Sequence, residues 1–210
     1  MLVRISPVLL ASVLFLAASA PVLASAQAAS EPVRIRGTIV RVDAKTLVVQ
    51  DRGGEVVSLF RPTDMTVSEV YPIKLSDIRQ GSFIGTAAMP QADGTQKALE
   101  VVVFPEAARG TGEGHRPWDL LPQSTMTNAT VADLAAAPKS VRGGQQLRLT
   151  YKGGEQTVVV PPDVPVVTFR PGTESLLVPG VKVLVNAQEK NGIPTALRVT
   201  AGRNGFAPPM

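Results

Sequence analysis

The chain has 210 residues, with 21 lysines and arginines against 17 aspartates and glutamates, a formal net charge of +4 and no cysteine. The missing cysteine excludes disulfides, thiolate nucleophiles and cysteine-based metal sites together. A net charge this small, spread along the chain, does not supply the clustered basic face of a nucleic-acid binder, so no nucleic-acid partner is expected.

The N-terminus reads as a secretory signal peptide over residues 1–28. Arg4 supplies the positive end, Ile5 to Ala18 is apolar, and Ala24-Ser25-Ala26 and Ala26-Gln27-Ala28 are small-residue cleavage patterns. The apolar stretch, interrupted by Ser6, Pro7 and Ser12, is short for a membrane span, and no other segment is apolar enough to be one. The expectation is a periplasmic or secreted protein that starts near Gln27 or Ala29 and has no transmembrane segment after processing.

From residue 29 onward strand signals dominate. Ile39 to Asp43 alternates apolar and polar residues, Thr46 to Val49 is β-branched and apolar, and Val56 to Phe60 follows the Arg52-Gly53-Gly54 turn. Ser82–Thr86 and Ala98–Phe104 flank a second turn at Ala92-Asp93-Gly94 and close a first unit, 29–104. Period-two alternation between glycine-containing turns reads as hairpins. Between the third and fourth of these strands, Pro62 to Gln80 reads as a connection, with a short helical turn over Leu75–Gln80 stopped by Gly81 as a left-handed cap.

A connector follows, 105–126, and holds the chain's only histidine and only tryptophan, His115 and Trp118. Gly110, Gly112 and Gly114 precede them and leave the backbone free to take unusual angles. Two readings stay open. In one, Trp118 stacks on a ligand, Arg116 pairs with an anion, and Glu113, His115 and Asp119 add polar contacts. In the other, the segment is a strap in which Trp118 buries against a barrel while Arg116 and Asp119 hold the ends.

The second unit, 127–203, repeats the first. Thr46–Glu55 matches Gln146–Glu155 at an offset of 100, Asp64 and Gly81 match Asp163 and Gly180 at 99, and Gly94, Ala98, Leu99 and Val101 match Gly192, Ala196, Leu197 and Val199 at 98. An internal repeat decides architecture before any local signal does. Five strands per unit, with a long connection between the third and fourth, give an all-β fold class: two tandem five-stranded OB-like Greek-key barrels. A pair of open five-stranded sheets packed together is the alternative. Pro179 argues against a regular helix in the second unit's long connection. The second unit is also longer before its second strand, through Leu134 to Gly144, and the loop between the first two strands faces ligands in OB folds. Its charge is nine basic to five acidic residues, against eight and eight over Arg36–Phe104 of the first unit, so attraction for anions belongs here. Arg142 and Arg148, with Lys139 and Lys152, are the closest approach to a basic patch. The tail, 204–210, reads as disordered.

Gly37-Thr38-Ile39-Val40, Thr46 to Val49, Ile78-Arg79-Gln80-Gly81, Asp93-Gly94 and Ala98-Leu99-Glu100-Val101 together resemble an exported bacterial OB-like β-barrel family of unknown function, present here as a tandem repeat. The resemblance implies an envelope location and a β-barrel and brings no catalytic residues with it. The long first loop and Pro179 of the second unit depart from the family pattern.

No catalytic set emerges. A serine–histidine–aspartate arrangement would have only His115 to use, no serine sits in a Gly-x-Ser-x-Gly elbow, and the Gly53-Gly54 and Gly153-Gly154 pairs are hairpin turns without the lysine and helix of a phosphate loop. The reading is therefore a non-enzymatic envelope binding or scaffold protein without a cofactor. Its ligand would be a glycan, an anionic oligomer or a partner protein, and its ligand-binding candidates are His115, Arg116, Trp118, Asp119, Arg142 and Arg148. The alternative is a periplasmic metal-handling or stress-related factor using His115 and the scattered methionines.

Overall fold

The structure is a computed structural model and describes residues 31–209. The segment read as a signal peptide lies outside them. Thirteen strands make up the described residues, joined by turns and short 3₁₀ segments. Among those residues, no helix is long and apolar enough to cross a membrane. The first unit contributes β1 (Val33–Val42), β2 (Thr46–Asp51), β3 (Val56–Phe60), β4 (Thr66–Pro72), β5 (Phe83–Pro90) and β6 (Gln96–Val103). The connector contributes β7 (Gly114–Pro117). The second unit contributes β8 (Thr125–Ala136), β9 (Gln145–Tyr151), β10 (Gly154–Val160), β11 (Val166–Pro171), β12 (Lys182–Lys190) and β13 (Ile193–Gly202).

The strands are where alternation places them, with three additions, one of them β7 in the connector. Thr66–Pro72, read from sequence as part of a connection, is a strand. Its counterpart Val166–Pro171 is another. The turns that follow are 3₁₀ segments, Leu75–Asp77 and Glu174–Leu176. Gly81 and Gly180 come next in left-handed conformation, with φ of 85° and 88°, angles that cost most side chains a Cβ clash.

Pairing does not follow the units. β5, β6, β8, β9 and β10 form a closed five-stranded barrel, in which β8 pairs β5 and β9, and β10 closes onto β6 through Val158↔Gln96 and Val159↔Lys97. β1, β2, β3, β12 and β13 form a second ring, closed by the single pair Thr195↔Phe60. Each ring thus takes three strands from one unit and two from the other. This differs from the tandem arrangement, in which each unit would close on itself. The physical reason is that related strands carry interchangeable faces. A strand pair that fits within a unit also fits between units, as in domain swapping. β4, a strand of seven residues, spans about 23 Å at ~3.3 Å per residue and carries the chain out of the first ring.

The cores confirm that the exchange buries the right residues. Ile39, Leu47, Val49 and Leu59 pack with Leu177, Val183, Val185 and Val199 in the ring of β1. Ile78, Ile84 and Val101 pack with Val131, Leu147, Leu149 and Val158 in the barrel of β8. Leu47 and Leu147, both 0% exposed, are sequence counterparts in opposite cores. Burying each such side chain contributes about 1.5–3 kcal/mol. The same hook fastens both rings: the Gly81 amide donates to the Val131 carbonyl at 2.8 Å, and the Gly180 amide donates to the Ile39 carbonyl at 2.8 Å.

β4 and β11 pair antiparallel between the rings, while β4 runs parallel to β13 and β11 parallel to β6. Val70 faces Phe169 across this ladder. The two are sequence counterparts at an offset of 99, so an approximate two-fold axis passes through their pair. Around it Val70, Val102 and Val167 gather Phe104, Phe169 and Phe206. Phe104 meets Phe169 edge-on at 5.6 Å. Phe206 and the buried Pro208 belong to the segment read as a disordered tail. It lies instead against the junction of the rings, because an aromatic and two prolines bury apolar surface at little entropic cost.

Candidate functional site

The connector is tied down along its length. Glu113 accepts from the Lys152 amide at 3.1 Å, at the β9–β10 turn. β7 pairs β8, with His115 opposite Thr127 and Arg116 opposite Met126. His115 Nδ1 lies 2.8 Å from the Thr127 hydroxyl, and its ring stacks on Tyr151 at 6.5 Å. Burial, and secondly the charge of Arg116, push the His115 pKa below its ordinary value. Arg116 donates to the Gly112 carbonyl at 2.8 Å, and Asn128 donates to the Thr111 carbonyl at 2.9 Å. The glycine-rich approach is therefore ordered by bonds to β8 and β9.

Past β7 the connector crosses to the other ring. The Arg34 guanidinium lies 3.9 Å from the centre of the Trp118 ring, and that of Arg116 lies 5.5 Å from it. Asp119 accepts from Arg36 at 2.8 Å and from Arg34 at 3.3 Å. Partial burial raises the Asp119 pKa, and the hydrogen bonds and charges of Arg36 and Arg34 outweigh that effect, so the carboxyl sits below its ordinary value. Ser124 closes the following turn by accepting from the Leu121 amide and donating to the Leu121 carbonyl. Four of the candidates, His115, Arg116, Trp118 and Asp119, thus come together as one strap between β8 and β1. Arg34 and Arg36 are its anchors on β1. Sequence alone gave no signal for them, because they lie more than eighty residues away. Glu113, His115, Arg116 and Asp119 of this strap already face protein partners, whereas the buried Trp118 Nε1 has no hydrogen-bond partner among the described residues. A cation–π pair of this kind contributes about 0.5–2 kcal/mol.

The remaining two candidates stand apart. Arg148, on β9, pairs with Glu155 on β10 at 3.7 Å across an exposed face. Arg142 lies on the loop between β8 and β9. That loop is eight residues, Ala137–Gly144, where the equivalent turn in the first unit is three, Asp43–Lys45. Three backbone bonds shape it: Ala137 to Gly144, Val141 to Pro138 and Gly144 to Val141. Gly143 takes a φ of 80°, and a Cβ on Gly144 would lie 2.6 Å from the Val160 carbonyl oxygen, so both glycines are required by the geometry. With the segment Lys74–Ser76, this loop bounds an open groove of about 1000 Å³. Its lining includes Lys74, Lys139 and Arg142 and no carboxylate. All three cations are exposed. Lys74, contributed by the first unit, is the member of this set that the sequence did not single out.

Among the described residues, no group of three or more histidines, aspartates or glutamates is placed to hold a metal ion. Comparison with protein-family models, with curated proteins and with solved structures finds no match.

Proposed function

We propose that this is a non-enzymatic binding protein of the cell envelope, built on two OB-like barrels, that captures an anionic oligomer of the acidic-glycan type in the groove beside the 137–144 loop. The observation that carries this reading is the lining: Lys74, Lys139 and Arg142 converge on one groove with no acidic residue among them. Three like charges brought together without counter-charges raise the local concentration of anions and speed their capture. The loop belongs to the position that faces ligands in OB folds, and its internal backbone hydrogen bonds shape the backbone that carries Lys139 and Arg142 before the ligand arrives. The strap through Trp118 holds the two rings together and leaves this groove open.

The test is calorimetric titration of the mature protein with a short oligogalacturonate. Saturable binding that weakens as salt rises is expected. Lys139→Ala combined with Arg142→Ala should weaken it by about tenfold or more, and Trp118→Phe should leave it unchanged. Equal affinity in the double variant would remove the groove as the site. Export is checked by the mass of the N-terminus recovered from the periplasmic or culture fraction, expected near Gln27 or Ala29.

A further inference from the structure

A second groove lies on the outer face of the β12–β13–β4–β11 sheet, at the junction of the rings, with a volume of about 710 Å³. Its floor is laid out in rows by strand register. Asn186, Arg198 and Thr66 pair across the first row, Leu184, Thr200, Ser68 and Pro171 across the second, and Val70 with Phe169 across the third. These side chains face outward on β12 and β13 because their neighbours Val183, Val185, Val199 and Ala201 point into the core. The floor therefore runs from polar and cationic at Arg198 to apolar at Val70 and Phe169, where Val102 and Phe104 extend it. Arg198 is exposed. The other charged lining residue, Arg170, is already engaged by Glu69 at 3.1 Å, and the lining holds no carboxylate.

The sequence counterpart of this face is closed. At offsets of 99 and 98, Leu184, Asn186 and Arg198 correspond to Gly85, Ala87 and Glu100. Ala87 is 0% exposed and Glu100 is 4% exposed. A Cβ on Gly85 would lie 2.7 Å from the Asn128 side-chain oxygen and 2.9 Å from Phe104. The chain covers one face of the pair with its own connector and leaves the other as a groove, with a cation where the closed face has a carboxylate.

We propose that this groove binds a single-chain amphipathic carboxylate of the fatty-acid type. The carboxylate pairs with Arg198 and accepts from Asn186 and Thr200, while the alkyl chain lies over Val70 and Phe169 toward Phe104. The volume is that of a small-ligand site, with an apolar lining and a few placed polar groups. Charge sign selects the ligand, since a cation of the same chain length meets the exposed Arg198 guanidinium and no carboxylate in the lining. Pro209 lines the same groove, so the ligand lies alongside the chain's own tail.

The experiment is isothermal titration of the full mature protein with dodecanoate below its micelle concentration, with dodecyltrimethylammonium as the opposite-charge probe. Saturable dodecanoate binding is expected, with no saturable binding of the ammonium. Arg198→Gln, a surface change that leaves the core untouched, should weaken dodecanoate by about tenfold or more. Lys74→Ala with Arg142→Ala should leave it unchanged, which separates this site from the anionic groove at the 137–144 loop. A groove serving only as the seat of the tail would give no saturable heat with dodecanoate. That result, or equal affinity in Arg198→Gln, or equal binding of the ammonium probe, would overturn the proposal.

Discussion

The two rings use the same strands and end up differently dressed. The barrel of β8 is wrapped: β7 adds to β8, Asn128 is hydrogen-bonded to the connector, and Glu100 is covered. The ring of β1 receives the far end of the connector through Arg34 and Arg36, and keeps an open face at Arg198 that the near end, Pro105 to Thr111, only borders. The wrapped barrel also carries the long 137–144 loop, while its counterpart turns in three residues. Duplication supplies two equivalent frames, and the one connector can cover only one of them. The groove at Arg198 arises from that asymmetry, and the groove at the 137–144 loop from the difference in loop length.

The comparison breaks most completely if the halves are separated. Each ring needs strands from both units, so residues 29–104 and 105–210 expressed apart should show no cooperative unfolding as monomers. Co-expression should restore one cooperative transition. Two halves that each melt cooperatively as monomers would mean that each unit closes its own barrel.

Next in size are the paired core leucines. Leu47→Ala and Leu147→Ala each empty a fully buried position and should cost about 2–5 kcal/mol in urea denaturation. Because the rings share strands, both variants should shift the same single transition. A variant that splits unfolding into two steps would show that the rings are energetically separate.

Smaller again are the hook glycines. A Cβ at Gly81 or Gly180 meets nothing within 4 Å, so alanine there adds only the left-handed backbone penalty, about 1–2 kcal/mol. Equal losses at the two sites would sharpen the equivalence of the hooks. A loss at one alone would mean that only one ring depends on its hook.

The smallest effects are electrostatic, and the first belongs to the wrapped barrel. The folded state depresses the His115 pKa, so below the unfolded value near 6.5 the unfolded chain binds the proton more readily. Stability should fall as pH drops from 6.5 toward the folded pKa. His115→Gln should flatten that slope in denaturation curves taken across the window. A parallel slope in the variant would assign the loss to other groups. Glu69 acts in a lower range: the hydrogen bond from Arg203, against an opposing desolvation, and then the bond from Arg170 hold its carboxyl below the ordinary value. Its contribution is complete above pH ~4.5 and is lost as pH falls through the folded pKa.

Much of the frame was legible in the sequence. Alternation at Ile39–Asp43 and Thr46–Val49 placed strands, and the offset of 100 paired Leu47 with Leu147 before their burial was known. What sequence could not decide was which copy of a strand pairs with which, since Ile84 and Val183 offer the same apolar face to either ring. Thr66–Tyr71 carried a readable strand signal in its β-branched and aromatic residues, masked by the flanking prolines Pro62 and Pro72. The connector misled for a different reason: its glycines imply freedom, and its order comes from long-range bonds to Lys152, Thr127 and Arg36. The candidate grooves were legible only in part. Arg142 was readable from the enlarged loop, whereas Lys74 and the rows around Arg198 depend on register across strands far apart in the chain.

The exchange of strands is the claim on which the rest stands, and the chain's lack of cysteine makes it directly testable. Thr38 and Lys182, from different units, face each other across β1 and β12. Their neighbours Ile39 and Val181 share a ladder hydrogen bond, which makes Thr38 and Lys182 the closer, non-hydrogen-bonded kind of pair. Thr38→Cys with Lys182→Cys should form an intramolecular disulfide on mild oxidation of the monomer, read by mass and by non-reducing electrophoresis. Phe83 is the counterpart of Lys182 within the first unit, so Thr38→Cys with Phe83→Cys should stay reduced. A disulfide in the second pair and none in the first would contradict the exchanged architecture.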